Sequence, residues 1–116
     1  MNIAQIALAI GCVGAIAVGQ VLFKRLGLEI EAAGTWLQPR AILILGVALA
    51  IYGGATLLWI HLLRSVELSR AYPFMALSFV LVPIMSWWLF GEQLSLSYLA
   101  GTLLIVGGIV VIATLH

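Results

Sequence analysis

The sequence predicts an all-α integral membrane protein, a bundle of four transmembrane helices in a single domain covering residues 1–116. Its composition is the first reason: hydrophobic residues make up 65% of the chain and charged residues 8%. An ordinary soluble domain has about 25% charged residues. A small soluble domain also leaves much of its surface in water, so it could not bury this much apolar surface.

The second reason is the placement of the five basic and four acidic residues. They leave four uncharged runs, which cover residues 3–23, 41–63, 71–91 and 93–116. About 20 helical residues cross a bilayer core of about 30 Å, so each run can span a membrane. We therefore predict helices at about 3–24, 41–63, 70–90 and 97–114.

The first two predicted helices are separated by the longest predicted loop. Helix 1 is rich in small residues and ends near Lys24, and the charged stretch 25–40, which contains Gly27, Gly34 and Pro39, is predicted to be irregular. In helix 2 the small residues Gly46, Ala50 and Gly54 are spaced four apart. This spacing predicts a groove that another helix can approach closely.

The last two helices follow short connections. The stretch 64–70 is short, which predicts that helices 2 and 3 are antiparallel neighbours. Pro83 lies in the middle of helix 3, where the loss of one backbone hydrogen bond predicts a hinge. Glu92 follows helix 3 and is expected to favour the start of helix 4, because acidic groups stabilise helix N-termini. Gly101, Gly107 and Gly108 give helix 4 a thin face.

The basic residues do not decide the orientation of the chain. Lys24, Arg25 and Arg40 share one side of the membrane, and Arg64 and Arg70 share the other. This near-even distribution is too weak for the excess of cytoplasmic Lys and Arg to choose a side.

Six polar residues near the spans are candidates for substrate binding, because polar groups are costly in hydrocarbon. Gln20 and Lys24 are four residues apart and share one face of helix 1. A snorkelling lysine next to a structural glutamine is an equally good interpretation. Arg64 and Arg70 flank the second loop and could serve only to orient the chain. Tyr72 and Ser78 could bind a ligand or satisfy neighbouring carbonyl groups.

Other classes of site are not expected. No Asp or Glu lies in the core of any predicted span, and the sequence shows no cluster of metal ligands and no pairing of a nucleophile with a base. We therefore predict a protein that is not an enzyme and has no metal or cofactor. A basic patch is also missing, so nucleic acid is not an expected partner. Cys12 lies within helix 1 and is interpreted as a packing residue.

One part of the chain resembles a known group of transporters. Residues 68–82, with the sequence LSRAYPFMALSFVLV, together with Gly19, Gln20 and Lys24 and the run GGIV at 107–110, resemble the drug/metabolite transporter superfamily. Within it the chain is most similar to the paired four-helix subunits of undecaprenyl-phosphate aminoarabinose flippases. The resemblance covers nearly the whole chain.

The four-helix small multidrug resistance transporters have a similar overall shape, but one residue differs in an important way. In that family a membrane-embedded glutamate in helix 1 carries the chemistry. Alignment of Gly19 and Lys24 places Ile16 at the position of this acid. The departure disfavours a proton-coupled drug exporter and leaves intact a carrier for an anionic lipid headgroup.

The resemblance implies a multi-pass flippase of the bacterial inner membrane that translocates a lipid-linked sugar. The cationic side chains of Lys24, Arg64 and Arg70 would bind its phosphate. Gln20, Tyr72 and Ser78 would offer hydrogen bonds. It further implies a dimer, with an identical or a paralogous partner, for which the helix 4 glycines are our choice of contact. Two alternatives remain open: an exporter of small metabolites or drugs, and a subunit that only supports the assembly of a membrane complex.

Overall fold

The computed structural model describes residues 2–115 and confirms the four-helix membrane bundle. Four helical stretches are long and apolar enough to cross a membrane. The chain is therefore a multi-pass membrane protein. In chain order its helices are α1 (Ile3–Ala33), α2 (Pro39–Leu63), α3 (Leu68–Ala71), a 3₁₀ helix (Tyr72–Leu77), α4 (Ser78–Phe90) and α5 (Leu96–Leu115).

Helix α1 is longer than the sequence predicted, and the prediction of an irregular segment over 25–40 is wrong. The helix continues past Lys24 to Ala33 and ends at Gly34, whose φ of 73° is left-handed. Gly34 donates its backbone N–H to the carbonyl oxygen of Ile30 at 2.7 Å. Because glycine adopts this conformation without steric cost, it ends the helix here. Glu29 pairs with Arg40 at 3.4 Å across the short connection that follows.

The third span changes helix type along its length. Helix α3 is followed by the 3₁₀ helix, which has Pro73 in its first turn, and then by α4. Pro83 lies inside α4. The irregular part of the span thus precedes Pro83, and the assignment of a hinge to this proline remains a prediction.

Helices α1 and α2 form the best-packed pair. The buried residues of α2 are Ala41, Ala48, Ala55 and Leu62, a stripe with a spacing of seven. This spacing is typical of two helices that cross at a shallow angle. The predicted groove is not used for packing within this chain, since Gly46, Ala50 and Gly54 are all exposed. Length and composition could not show which face of α2 is buried.

The connection between α2 and α3 packs against the beginning of α1. Ala9 of α1 forms a buried cluster with Leu62, Val66 and Ala71. Gln5 donates its side-chain N–H to the hydroxyl of Ser65 at 3.1 Å. This connection and the N-terminus of α1 therefore share one end of the bundle.

Helix α5 is the least buried of the four spans. None of the residues in its most apolar stretch is buried within the chain. Its Tyr98 hydroxyl donates to the carbonyl oxygen of Phe79 in α4 at 3.1 Å. Ser95 accepts a hydrogen bond from the backbone N–H of Tyr98 at 3.0 Å and so caps the helix. Helix α5 is held at its beginning and leaves most of its surface open.

Candidate functional site

A cavity of about 220 Å³ brings several of the predicted site residues together. Helix α1 contributes Ile16 and Gln20 to its lining, α4 contributes Ser78 and Pro83, and α5 contributes Tyr98. The cavity is open rather than enclosed. Residues from three helices thus surround an open, mainly apolar space within the spans, to which Gln20, Ser78 and Tyr98 add hydrogen-bonding groups.

Gln20 is held by a tyrosine that the sequence reasoning did not select. Its side-chain N–H donates to the hydroxyl of Tyr52 in α2. The Tyr52 ring stacks on Phe23, with ring centroids 5.2 Å apart, and lies directly over Gly19. The signal was available, because Tyr52 is a polar aromatic residue in the middle of an apolar span. What it contacts depends on how α1 and α2 pack.

The hydroxyl of Ser78 already has a partner inside its own span. It donates to the carbonyl oxygen of Met75 at 2.7 Å, where the 3₁₀ helix meets α4. Its oxygen can still accept a hydrogen bond, since a hydroxyl has two lone pairs. Ser78 can therefore offer an acceptor to a ligand in the cavity.

A second cavity, of about 370 Å³, continues from the first toward the α4–α5 connection. The two share the lining residues Val82, Pro83 and Tyr98. The second adds Ser86 of α4 and Glu92 of the connection. We call the two cavities together the groove. It runs from Gln20 within the spans to Glu92 at the end of α4.

Lys24 meets the groove at this end. Its ammonium lies 3.7 Å from Oε2 of Glu92, and the side chains are 49% and 44% exposed, respectively. The other carboxylate oxygen, Oε1, accepts a hydrogen bond from Ser86 at 3.1 Å. An ion pair this exposed contributes at most about 1 kcal/mol, so little energy is needed to open it.

The structure changes the expected role of Glu92. It was expected to favour the start of the last helix, but that helix begins at Leu96 and is capped by Ser95. Glu92 contacts Lys24 and Ser86 instead. The sequence did not reveal this role, because Lys24 and Glu92 are brought together by the packing of α1 beside α4.

Three predicted site residues, Arg64, Arg70 and Tyr72, lie at the other end of the bundle. All three are exposed. Ala71 beside them is clustered with Ala9 of α1, and Lys24 lies about 22 Å further along α1 at a rise of about 1.5 Å per residue. The six predicted residues therefore do not converge on one point: Gln20, Lys24 and Ser78 lie along the groove, and the other three do not.

The glycines chosen as a dimer contact lie on the open helix. Gly107 and Gly108 are exposed and Gly101 is half-buried. A Cβ atom built at any of the three would meet nothing within 4 Å. The thin face of α5 is therefore uncovered in this chain, and its use as a contact stays a prediction.

Within residues 2–115, no three His, Cys, Asp or Glu side chains come together as metal ligands would. Cys12 is buried in α1, as expected of a packing residue. Ile16 lines the part of the groove that lies within the spans.

The chain is similar to a transporter family and to individual proteins named as flippase subunits. The EamA-like transporter family matches residues 2–114. The chain is 43% identical over 65 residues to the probable 4-amino-4-deoxy-L-arabinose-phosphoundecaprenol flippase subunit ArnE of Sodalis glossinidius, covering 56% of this chain and 59% of that relative. It is 31% identical over 96 residues to the protein of the same name from Salmonella typhimurium, covering 83% and 85%. The corresponding Escherichia coli O45:K1 protein is 40% identical over 77 residues, covering 66% and 69%. No solved structure matches the chain.

Proposed function

We propose, because this chain belongs to the EamA-like transporter family, that it is a flippase subunit which moves undecaprenyl-phosphate aminoarabinose across the bacterial inner membrane. The names of the relatives supply the substrate of this proposal. Such a lipid has an apolar tail, a phosphate and a polar sugar. Its headgroup crosses a bilayer slowly because it must leave water, and a carrier has to replace the lost hydration.

The position of Lys24 is the observation that carries the proposal. Its ammonium lies at one end of the groove, one helical turn beyond Gln20. A lysine ammonium in this position can bind a phosphate through charge-assisted hydrogen bonds. Gln20, Ser78 and Tyr98 then offer neutral hydrogen-bonding groups to the sugar further along the groove.

The open sides of the groove suit a substrate with a long tail. Both cavities are open. Helix α5 forms one wall of the groove, and no residue in its most apolar stretch is buried. The headgroup would occupy the groove while the undecaprenyl chain stays among the lipids outside it. This division keeps the apolar part of the substrate in hydrocarbon throughout.

Arg64, Arg70 and Tyr72 have a separate place in this proposal. They lie at the opposite end of the bundle from Lys24. A flipped headgroup must be held at both membrane faces, and the two arginines supply cations at the second one. Pro83, which lines both cavities, is the proposed hinge between the two arrangements.

Ile16 separates this function from a proton-coupled exporter. An exporter that exchanges protons needs a titratable group within the spans, and Ile16, which α1 contributes to the cavity lining beside Gln20, has none. We therefore expect no proton release when a cationic drug is added to the purified protein. Release that saturates with drug concentration would favour the exporter.

Four helices alone leave the groove open, so we propose that the chain pairs with a second four-helix chain, identical or paralogous, through Gly101, Gly107 and Gly108. Small residues let helices in a membrane approach closely. Gly107→Leu and Gly108→Leu should abolish crosslinked pairs in membranes. Gly11→Leu is a matched control on α1, since Gly11 is also exposed and has no neighbour within 4 Å of a built Cβ. Equal pairing in all three variants would rule out this contact.

The test of the function is binding of undecaprenyl-phosphate aminoarabinose to the purified chain in lipid nanodiscs. Lys24→Ala should weaken binding about tenfold or more, as expected for the loss of one charge-assisted contact. Arg40→Ala is the matched control, because Arg40 lies at the same end of the bundle but pairs with Glu29 and lines a different, largely apolar crevice. Absence of saturable binding in folded protein, or equal weakening by both variants, would refute the proposal.

A further inference from the structure

We infer that Lys24 and Glu92 together form a receptor for a zwitterionic headgroup, in which Lys24 binds the phosphate and Glu92 binds the positively charged amino group of the sugar. The inference rests on the proposed function and extends it to the recognition of the amine.

The two carboxylate oxygens of Glu92 have different partners in the groove. One is hydrogen-bonded to α4, and the other faces a cation that a ligand could replace. Oε1 accepts the hydrogen bond from Ser86, which fixes the side chain on the groove wall. Oε2 faces the ammonium of Lys24 at 3.7 Å. A ligand ammonium that replaces Lys24 at Oε2 leaves the contact to Ser86 intact.

Lys24 and Glu92 carry opposite charges, so a ligand that separates them should offer one group of each charge. A phosphate without an amine takes Lys24 away from Glu92 and leaves the carboxylate without a cationic partner. A headgroup that carries both a phosphate and an ammonium gives each residue a new partner of opposite charge. Sites discriminate most strongly when the wrong ligand leaves one of their own groups unpaired.

Opening the pair requires little energy, so the exchange is feasible. The two charged groups are 3.7 Å apart and close to half exposed, and exposed ion pairs contribute little to stability. Both side chains can therefore part to admit a headgroup between them. The neighbouring lining residues Gln93, Ser95 and Tyr98 are neutral, so Glu92 is the group in this part of the groove that attracts a cation.

The experiment compares three lipids on the same protein in nanodiscs: undecaprenyl-phosphate aminoarabinose, its N-acetylated derivative, which has no ammonium, and undecaprenyl phosphate. The wild type should bind the amine at least tenfold more tightly than the N-acetylated lipid, a difference of about 1.4 kcal/mol. Glu92→Gln should remove this preference without weakening the binding of undecaprenyl phosphate. A purely steric effect of the acetyl group would persist in Glu92→Gln.

Two further variants make the result specific. Glu31→Gln makes the same change of charge on an exposed residue near the end of α1, and it should keep the full preference. Glu92→Asp keeps the carboxylate and should retain most of the preference for the lipid with the free amine. Each variant is compared with the wild type by thermal unfolding to establish that it is folded.

The outcomes separate the two claims. If the wild type binds both sugar lipids equally, or if folded Glu92→Gln keeps the tenfold preference, the assignment of Glu92 is overturned while the proposed function stands. If the folded wild type binds none of the three lipids, the proposed function fails and the receptor fails with it.

Discussion

The contact between Gly19 and Tyr52 allows a prediction about how α1 and α2 are held together. A Cβ atom at Gly19 would lie 2.6 Å from Cδ2 of Tyr52 and closer still to Cε2. Since carbon atoms approach favourably only to about 3.5 Å, the ring would have to move by about 1 Å or more. Such a movement disturbs either the stack on Phe23 or the hydrogen bond from Gln20. We therefore expect Gly19→Ala to destabilise the protein.

The size of the effect follows from a matched comparison with Gly14→Ala. Gly14 lies on the same helix and has nothing within 4 Å of a built Cβ, so both variants share the change in backbone entropy. Overpacking a closely packed interface costs about 1–3 kcal/mol. We expect Gly19→Ala to be less stable than Gly14→Ala by this amount.

The assay is reversible unfolding in mixed detergent micelles, followed by the helical circular dichroism signal. Gly19→Ala combined with Tyr52→Leu should recover part of the loss, because the second change removes the obstructing ring, and a double-mutant cycle gives this coupling directly. Equal stability of Gly19→Ala and Gly14→Ala would mean that the ring of Tyr52 does not lie against Gly19. Helices α1 and α2 would then pack in a different way from the one described above.

Three further predictions concern single side chains. Tyr52→Phe keeps the ring but removes the acceptor for Gln20, so it should cost about 0.6 kcal/mol and no more than about 1.7 in the same unfolding assay; a loss as large as that of Tyr52→Leu would contradict it. Ser95→Ala removes the cap of α5 and should cost about 1 kcal/mol, whereas Ser95→Asp should restore the stability. The thiol of Cys12 is buried, so it should react with a maleimide only after unfolding in strong detergent; rapid labelling of folded protein would show that this part of α1 is exposed.

The number of spans could be predicted from the sequence because a bilayer imposes a length on every uncharged run. The end of α1 could not be predicted in this way, because charged residues are compatible with a helix once it has left the hydrocarbon. The useful signal is Gly34, which can end a helix in a left-handed conformation, but the sequence alone does not distinguish it from the other glycines of the charged stretch.

The candidate site was only partly predictable for a different reason. Gln20 and Lys24 could be identified locally, since a polar residue within a span is rare enough to require an explanation. Tyr52 and Glu92 acquire their roles from partners that are distant in the sequence. Which helices lie side by side, and in what rotation, decides those contacts, and periodicity in a uniformly apolar helix does not reveal the rotation.

The length of α1 has a consequence for how the protein responds to its lipids. The helix has 31 residues and is about 46 Å long, while its uncharged part, residues 3–23, measures about 31 Å, close to the thickness of an average hydrocarbon layer. We therefore expect Lys24 to lie at the boundary between the acyl chains and the headgroups. A thicker bilayer would draw its ammonium inward and a thinner one would lift it toward water. We therefore expect the acyl-chain length of the bilayer to change how readily this lysine binds a phosphate, without any change in the protein itself.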